Sequence, residues 1–158
     1  MTLTAQTMQQ LTEQLGKTVL YGDVALSPDG THVAWVQSTA ASTSKQTYIR
    51  EISGDASATL VKIPISSERT DFDPEWAPDS RTLAVFSSAD ERKQRQLWSV
   101  NADGSDPKKL TSLNGYSARP RWSHNGKQIA FLYIEGAGGG GPVNGRANDD
   151  RCGRHCCS

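Results

Sequence analysis

Apolar positions fall into two regimes along the chain. Near the N-terminus Met8, Leu11 and Leu15 recur at helical spacing, which predicts a short helix from about Thr4 to Gly16. Thr7 with Gln10 has the form of a capping box, and Gly16 suits a left-handed terminator. Beyond Gly16, short apolar runs alternate with polar turns, the pattern of strands.

Three stretches repeat one another without a gap. They are Asp23–Val36 (DVALSPDGTHVAWV), Asp73–Phe86 (DPEWAPDSRTLAVF) and Arg119–Leu132 (RPRWSHNGKQIAFL), at offsets of 50 and 46 residues. Each reads as a strand, a polar turn and a second strand. The second strands, Val33–Val36, Leu83–Phe86 and Ile129–Leu132, are continuously apolar, as expected of strands buried on both faces. Between the copies, Thr47–Ile52 parallels Gln96–Val100. Each is followed by a turn (53–55; Asp103–Ser105) and a last short strand (59–63; Lys108–Thr111). One period thus holds four strands, and the third copy stops after two. A 40–50-residue period of four strands is the signature of propeller blades.

The repeat turn has a mechanism. Pro28 and Pro78 preset φ at the first central position of a type I turn. Asp29, Asp79 and Asn125 suit the second, and Gly30 and Gly126 supply the positive φ that follows. In the second copy Ser80 takes the glycine position, which predicts mild strain, and in the third His124 replaces the proline. Trp76 and Trp122 share one repeat position. With Trp35 and Trp98 they are expected in the blade core. The fold class is therefore all-β: a partial β-propeller of about two and a half four-stranded blades behind a short N-terminal helix. Residues 1–18 form the lead-in, 19–135 the propeller, and 136–158 a Gly-rich linker and disordered tail.

Composition narrows the function. Lys and Arg total 17, Asp and Glu 17, so the net charge is zero. That argues against nucleic acid or a membrane surface as partner, both of which favour a basic excess. No apolar run approaches the roughly 20 residues of a membrane span. The first residues lack the basic and apolar regions of a secretory signal, which predicts a cytoplasmic protein, or a periplasmic one if the N-terminus is incomplete. All three cysteines lie in the last seven residues, so no disulfide framework runs through the body.

The stretches Leu26–Gly30, Glu75–Asp79 and Gln96–Gly104 (QLWSVNADG) resemble the "SPDG…IAF" propeller repeat. That repeat is shared by TolB-like periplasmic proteins and the N-terminal domains of prolyl oligopeptidase-type serine peptidases. The resemblance covers about Val19 to Glu135. A helix leading directly into the first copy resembles the dipeptidyl/acylaminoacyl-peptidase branch. There the propeller caps an α/β-hydrolase domain and restricts which peptides reach its Ser, Asp and His. No position here matches those three residues and no Gly-x-Ser-x-Gly elbow occurs, so no catalytic residue is expected in this chain. The resemblance implies a non-catalytic segment for substrate gating and scaffolding, with a peptide substrate or hydrolase domain as partner. The alternatives are a TolB-like protein-binding propeller and a degenerate product without function. Propellers close with four to eight blades, so the chain reads as an N-terminal fragment, with a frameshifted or misassembled reading frame as the candidate origin of its tail. An open arc is further expected to self-associate through its uncovered edge.

Other motifs yield to simpler readings, and neither cofactor nor metal is expected. Gly136-x-Gly138-x-x-Gly141 matches a dinucleotide fingerprint, but Pro142 follows where a helix must start. Cys152, His155, Cys156 and Cys157 lack the paired spacing of a zinc site. Asp71, Asp73, Asp79 and the run Asn101–Asp106 invite calcium, yet the twelfth position from Asn101 is Ser112, not the Glu an EF-hand needs. Glu91–Arg95 reads as a solvated hairpin loop. His32, His124 and His155 have no Ser or Cys partner at a fixed relation.

Overall fold

The structure, a computed structural model, describes residues 5–42, 44–52, 60–65, 69–89 and 94–137. One helix, α1 (Ala5–Gly16), precedes ten strands. β1 (Val19–Leu26), β2 (His32–Thr39), β3 (Gln46–Glu51) and β4 (Leu60–Lys62) form the first sheet, in sequence order and antiparallel. β5 (Asp71–Trp76), β6 (Thr82–Ser87), β7 (Gln96–Asn101) and β8 (Lys108–Lys109) repeat it. β9 (Gly115–Trp122) and β10 (Ile129–Glu135) pair as a two-stranded third sheet. β1 lies against β5 and β5 against β9, so the first strands of the three blades line one axis.

The helix departs from expectation in three respects. Thr7 is its third residue, not its cap. Gly16 has no positive φ. The helix instead closes with i→i−3 bonds from Lys17 N to Gln14 O (3.2 Å) and Thr18 N to Leu15 O (3.0 Å). A side chain at Gly16 would approach Ala41 Cβ to 3.2 Å, so close packing explains this glycine. Leu15 remains 67% exposed, with no blade surface over it. The side chains of Met8 and Leu11 lie outside those described.

The repeat turns form as their chemistry dictates. Gly30, Ser80 and Gly126 have φ of 73°, 58° and 68°, and their N–H groups donate to Ser27, Ala77 and Ser123 carbonyls at 2.9–3.0 Å. Asp29 Oδ1 accepts from Thr31 N, Asp79 Oδ1 from Arg81 N and Asn125 Oδ1 from Lys127 N. Between β7 and β8, Gly104 takes φ 81°, and a Cβ there would stand 2.5 Å from Val61 of the first blade. The matching turn at 53–55 lies outside the described residues.

Burial follows the repeat with strict parity. Numbering each fourteen-residue copy from 1, positions 12 and 14 (Ala34, Val36; Ala84, Phe86) point to the following blade. Positions 4, 11 and 13 (Trp76, Leu83, Val85; Trp122, Ile129, Phe131) point to the preceding one. One core joins Ala34, Ile49 and Ile63 to Trp76, Leu83, Val85 and Val100; the other joins Ala84, Phe86 and Leu97 to Trp122, Ile129 and Phe131. Of the three apolar second strands, β6 is buried on both faces, as its run of apolar residues predicts. In β2, Val33 and Trp35 are half-buried; in β10, Ala130 and Leu132 are exposed. The expectation fails for those two strands because the described chain has no blade on their outer side.

The tryptophans divide accordingly. Trp76 is 5% exposed at the first seam, Trp122 is half-buried at the second, and Trp98 packs half-buried beside the first core. Trp35 belongs to neither core. It stacks on Tyr48 (centroids 6.0 Å apart) on the outer face of blade one, since this copy carries its indole at position 13 instead of 4.

Polar latches close each seam. Asp71, fully buried, bonds Arg69 Nε at 2.7 Å and accepts Thr47 N at 2.8 Å, while Arg69 Nη2 donates to Ile63 O. The approach to β5 is thereby tied to β3 and to the end of blade one. At the next seam Gln96 does this neutrally: Oε1 accepts from Leu113 N and Thr111 Oγ1, and Nε2 donates to Leu113 O. Removing one member of a buried ion pair costs about 3–5 kcal/mol, whereas replacing both with apolar groups is often neutral. Asp71→Ala is therefore expected to lower stability by about that amount, and Arg69→Met with Asp71→Leu by far less, as urea titration would report. Equal losses in the two variants would show that the pair itself, not its isolation, matters.

Candidate functional site: an axial groove

The first strand of each blade carries a bulge at repeat position 1. Asp23, Asp73 and Arg119 have φ of 33°, 49° and 56°, and register with the second strand slips there. Proline follows the bulge in two copies (Pro74, Pro120), where a missing N–H does no harm to the ladder. The bulges turn these residues to the axis and link them. Asp73 N donates to Asp23 Oδ2 at 3.4 Å, and Arg119 N donates to Asp73 Oδ2 at 2.9 Å.

A second ladder runs beside the first. Trp76 Nε1 donates to Ala25 O at 3.1 Å, and Trp122 Nε1 to Glu75 O at 3.2 Å, each crossing a seam. A third link joins Arg121 Nη1 to Glu75 Oε2 at 2.7 Å. Ser80 Oγ accepts Asp29 N at 3.1 Å, so the strained serine of the second turn holds the first turn across the seam.

These strands line an open groove of about 380 Å³. Asp23, Asp73 and Glu75 supply carboxylates from the first two blades; Arg119 and Arg121 supply guanidiniums from the third. Burial raises the Glu75 carboxyl above its ordinary value despite the ion pair, because the largely exposed Arg121 is screened by water. The groove is acidic along one side and basic along the other. It suits a ligand with both charges.

Of the residues singled out from sequence, Pro28 and Trp76 line the groove, and Asp29 and Ser80 clasp the seam behind it. Pro78, Asp79, Asn125 and Gly126 stay in the turns of the second and third copies and do not line the groove. Position 1 was missed. Its signal was present in the shared Asp of the first two copies and its replacement by Arg119. Among the calcium candidates, Asp71 is committed to Arg69, Asp73 to Arg119 N, and Asp103 to Ser105. His32 sits against Trp76 (5.8 Å), and His124 is exposed. The Arg95 guanidinium carbon sits 3.5 Å from the Phe72 ring centroid and Nη1 donates to the Tyr116 hydroxyl, so this end of the 91–95 run belongs to the second seam; residues 91–93 lie outside the described ones. So do Gly138, Gly141 and the 152–157 cluster.

The geometry defines a segment of a β-propeller built of TolB-like repeats, and it shares sequence with peptidases and with TolB proteins. The uncharacterized peptidase YuxL of Bacillus subtilis (strain 168) is 33% identical over 117 residues, 73% of this chain and 18% of its own. A TolB homolog of Chlamydia abortus is 43% identical over 53 residues, 34% of this chain and 12% of that protein. Dipeptidyl-peptidase 5 of Porphyromonas endodontalis is 38% identical over 53 residues, covering 34% and 8%. The chain thus spans less than a fifth of these relatives. Among solved structures, a TolB-type propeller from Agrobacterium tumefaciens aligns over 77% of this chain and 41% of its own (TM-score 0.62, 22% identity). The β-propeller domain of the Trilobed protease from Pyrococcus furiosus aligns over 73% and 34% (TM-score 0.52, 15% identity). No protein-family model matches the chain. Among the described residues no helix is long and apolar enough to cross a membrane.

The clasp has a pH signature. The Ser27 hydroxyl, followed by the Thr31 N–H and hydroxyl, holds the Asp29 carboxyl at about 2, below its ordinary 3.8. A depressed value means that the stabilisation is complete above 3.8 and is lost as pH falls toward 2. Asp29→Asn keeps the acceptor, as Asn125 does in the third copy, without the titration. Over that window the wild-type melting temperature is expected to fall relative to the variant's; parallel profiles would remove the carboxylate from this role.

Proposed function

We propose that this chain is the propeller portion of a prolyl oligopeptidase-type serine peptidase, non-catalytic in itself. In the intact parent it scaffolds an α/β-hydrolase domain and gates the passage of peptides to it. The supporting observation is the relation to the peptidase YuxL. It runs over 117 residues, more than two repeat periods, and so extends well beyond one shared motif. In such an arrangement the axial groove lies on the way to the catalytic chamber. A peptide carries an amine at one end and a carboxylate at the other, matching the acidic and basic sides. This reading puts the chain in the cytoplasm.

The second reading is a TolB-like propeller that binds protein partners and carries no enzyme, which would place it in the periplasm. The 43% identity to the Chlamydia abortus TolB homolog over 53 residues favours it. The two part at the locus. Reading the DNA beyond the Gly136–Pro142 codons in all three frames is expected to reveal further blades and a Gly-x-Ser-x-Gly. The joined frame, once expressed, should then react with a fluorophosphonate at that serine, while the 158-residue chain should not. Stops in every frame, or a signal peptide upstream and no elbow downstream, would overturn the peptidase reading.

A further inference from the structure

Two Asn-Gly pairs lie among the described residues, Asn114–Gly115 and Asn125–Gly126. A glycine after asparagine leaves its backbone nitrogen free to reach the side-chain amide, because no Cβ stands in the way. The structure treats the two pairs differently. Gly115 is buried at the start of β9, its N–H donates to Gln94 Oε1, and a Cβ there would collide with Ile134 O. The Asn114 carbonyl accepts from Gly136 N and the Tyr133 hydroxyl, and its side-chain oxygen accepts from Gln94 Nε2. Asn125 is exposed, and the space beside Gly126 is open, with Pro78 Cδ 3.8 Å from where a Cβ would sit.

The turn around Asn125 has the bonding of an aspartate turn. Asn125 Oδ1 accepts from Ser123 Oγ at 2.8 Å and from Lys127 N at 3.1 Å, and Ser123 Oγ accepts Gln128 N at 2.9 Å. Asp29 in the first copy is held the same way, by Ser27 Oγ at 2.6 Å and Thr31 N at 3.0 Å, with His32 N on Ser27 Oγ at 2.9 Å. The Asn125 amide nitrogen bonds nothing among the described residues, so the turn loses no contact if that nitrogen leaves.

We propose that Asn125 is a self-modification site, where Gly126 N attacks Asn125 Cγ, ammonia leaves, and water opens the resulting succinimide to an aspartate. In the first step the N–Cγ bond forms, the Cγ–Nδ2 bond breaks, and the Gly126 N proton departs with the ammonia. In the second, water adds at Cγ, the N–Cγ bond breaks and the nitrogen regains its proton. The net change is one water consumed, one ammonium released and one negative charge gained. The Ser123 hydroxyl and Lys127 N–H lie where charge develops on Oδ1. The bond from Gly126 N to Ser123 O (2.9 Å) has to open first, so the turn sets the pace. The turn also selects the product. Opening the ring at its other carbonyl gives isoaspartate, which lengthens the main chain by one atom and cannot keep both the Gly126 N–Ser123 O and Lys127 N–Oδ1 bonds. Aspartate keeps both, as the first copy shows. All three copies then carry a carboxylate at position 7, alongside Asp29 and Asp79. The chemistry is internal to one turn, so it is independent of the peptidase and TolB-like readings and of any further blade.

Peptide mapping by mass spectrometry tests it, on the 158-residue chain incubated at mildly alkaline pH, folded and in urea. In urea both pairs should convert, with isoaspartate the larger product at each. In the folded chain Asn125 is expected to convert at least about tenfold faster than Asn114, whose surrounding strand pair must open first, and to give mainly aspartate. The aged chain should co-elute on anion exchange with the variant Asn125→Asp and share its melting temperature. Asn125 left intact in the folded chain while urea converts it would overturn the proposal. So would equal rates at the two pairs, or isoaspartate as the main folded-state product.

Discussion

A blade cannot bury its own faces. Each four-stranded sheet here is apolar on both sides, and most of the core lies between sheets, not within them. The middle blade shows the constraint satisfied: Leu83, Ala84, Val85 and Phe86 are all fully buried, two residues toward each neighbour. Stability is therefore a property of seams. A seam is worth the apolar area it hides, and an unfilled seam leaves that area in water. The latches, ladders and exposed faces of this molecule all follow from where seams begin and stop.

The two seams share a plan and differ in chemistry. Both use an indole N–H donated to the preceding blade and a bulge carboxylate that accepts the next blade's N–H. The first adds a buried charge pair, Arg69–Asp71, and the second a neutral amide, Gln96, with an Arg95 guanidinium between Phe72 and Tyr116. A buried ion pair is costly to desolvate and adds little net stability over an apolar filling. Its consequence is specificity. Asp71 accepts only where Thr47 N and Arg69 converge, which fixes the register of blade two on blade one.

Local chemistry was legible in the sequence, whereas pairing between blades was not. The turns could be read because Pro28, Asp29 and Gly30 act on their own backbone within four residues. Strand number and order followed from the period. The parity of the faces could also be anticipated, but not which faces the described residues leave uncovered, since every copy of a repeat carries the same pattern. Trp35 was assigned to the core for this reason. The Arg69–Asp71 latch left no trace because Asp71 has no repeat equivalent: Tyr21 and Ser117 occupy its places. The Gly16 reading failed because that helix end is decided by what packs against it, here Ala41.

The site follows from the same constraint. Axial residues are free of packing duty because they face the hole that blades leave when they meet. Position 1 needs only a backbone tolerant of positive φ and a polar side chain. The first two copies meet this with Asp, which also tolerates that φ at low cost. The third uses Arg119, which gives up the carboxylate acceptor and bears the strain of a long side chain at φ 56°. Packing does not require that exchange, and Arg121 repeats it two residues on. The change from acid to base around the axis is thus a property of the groove, and through the Arg121–Glu75 pair it also ties the third blade to the second.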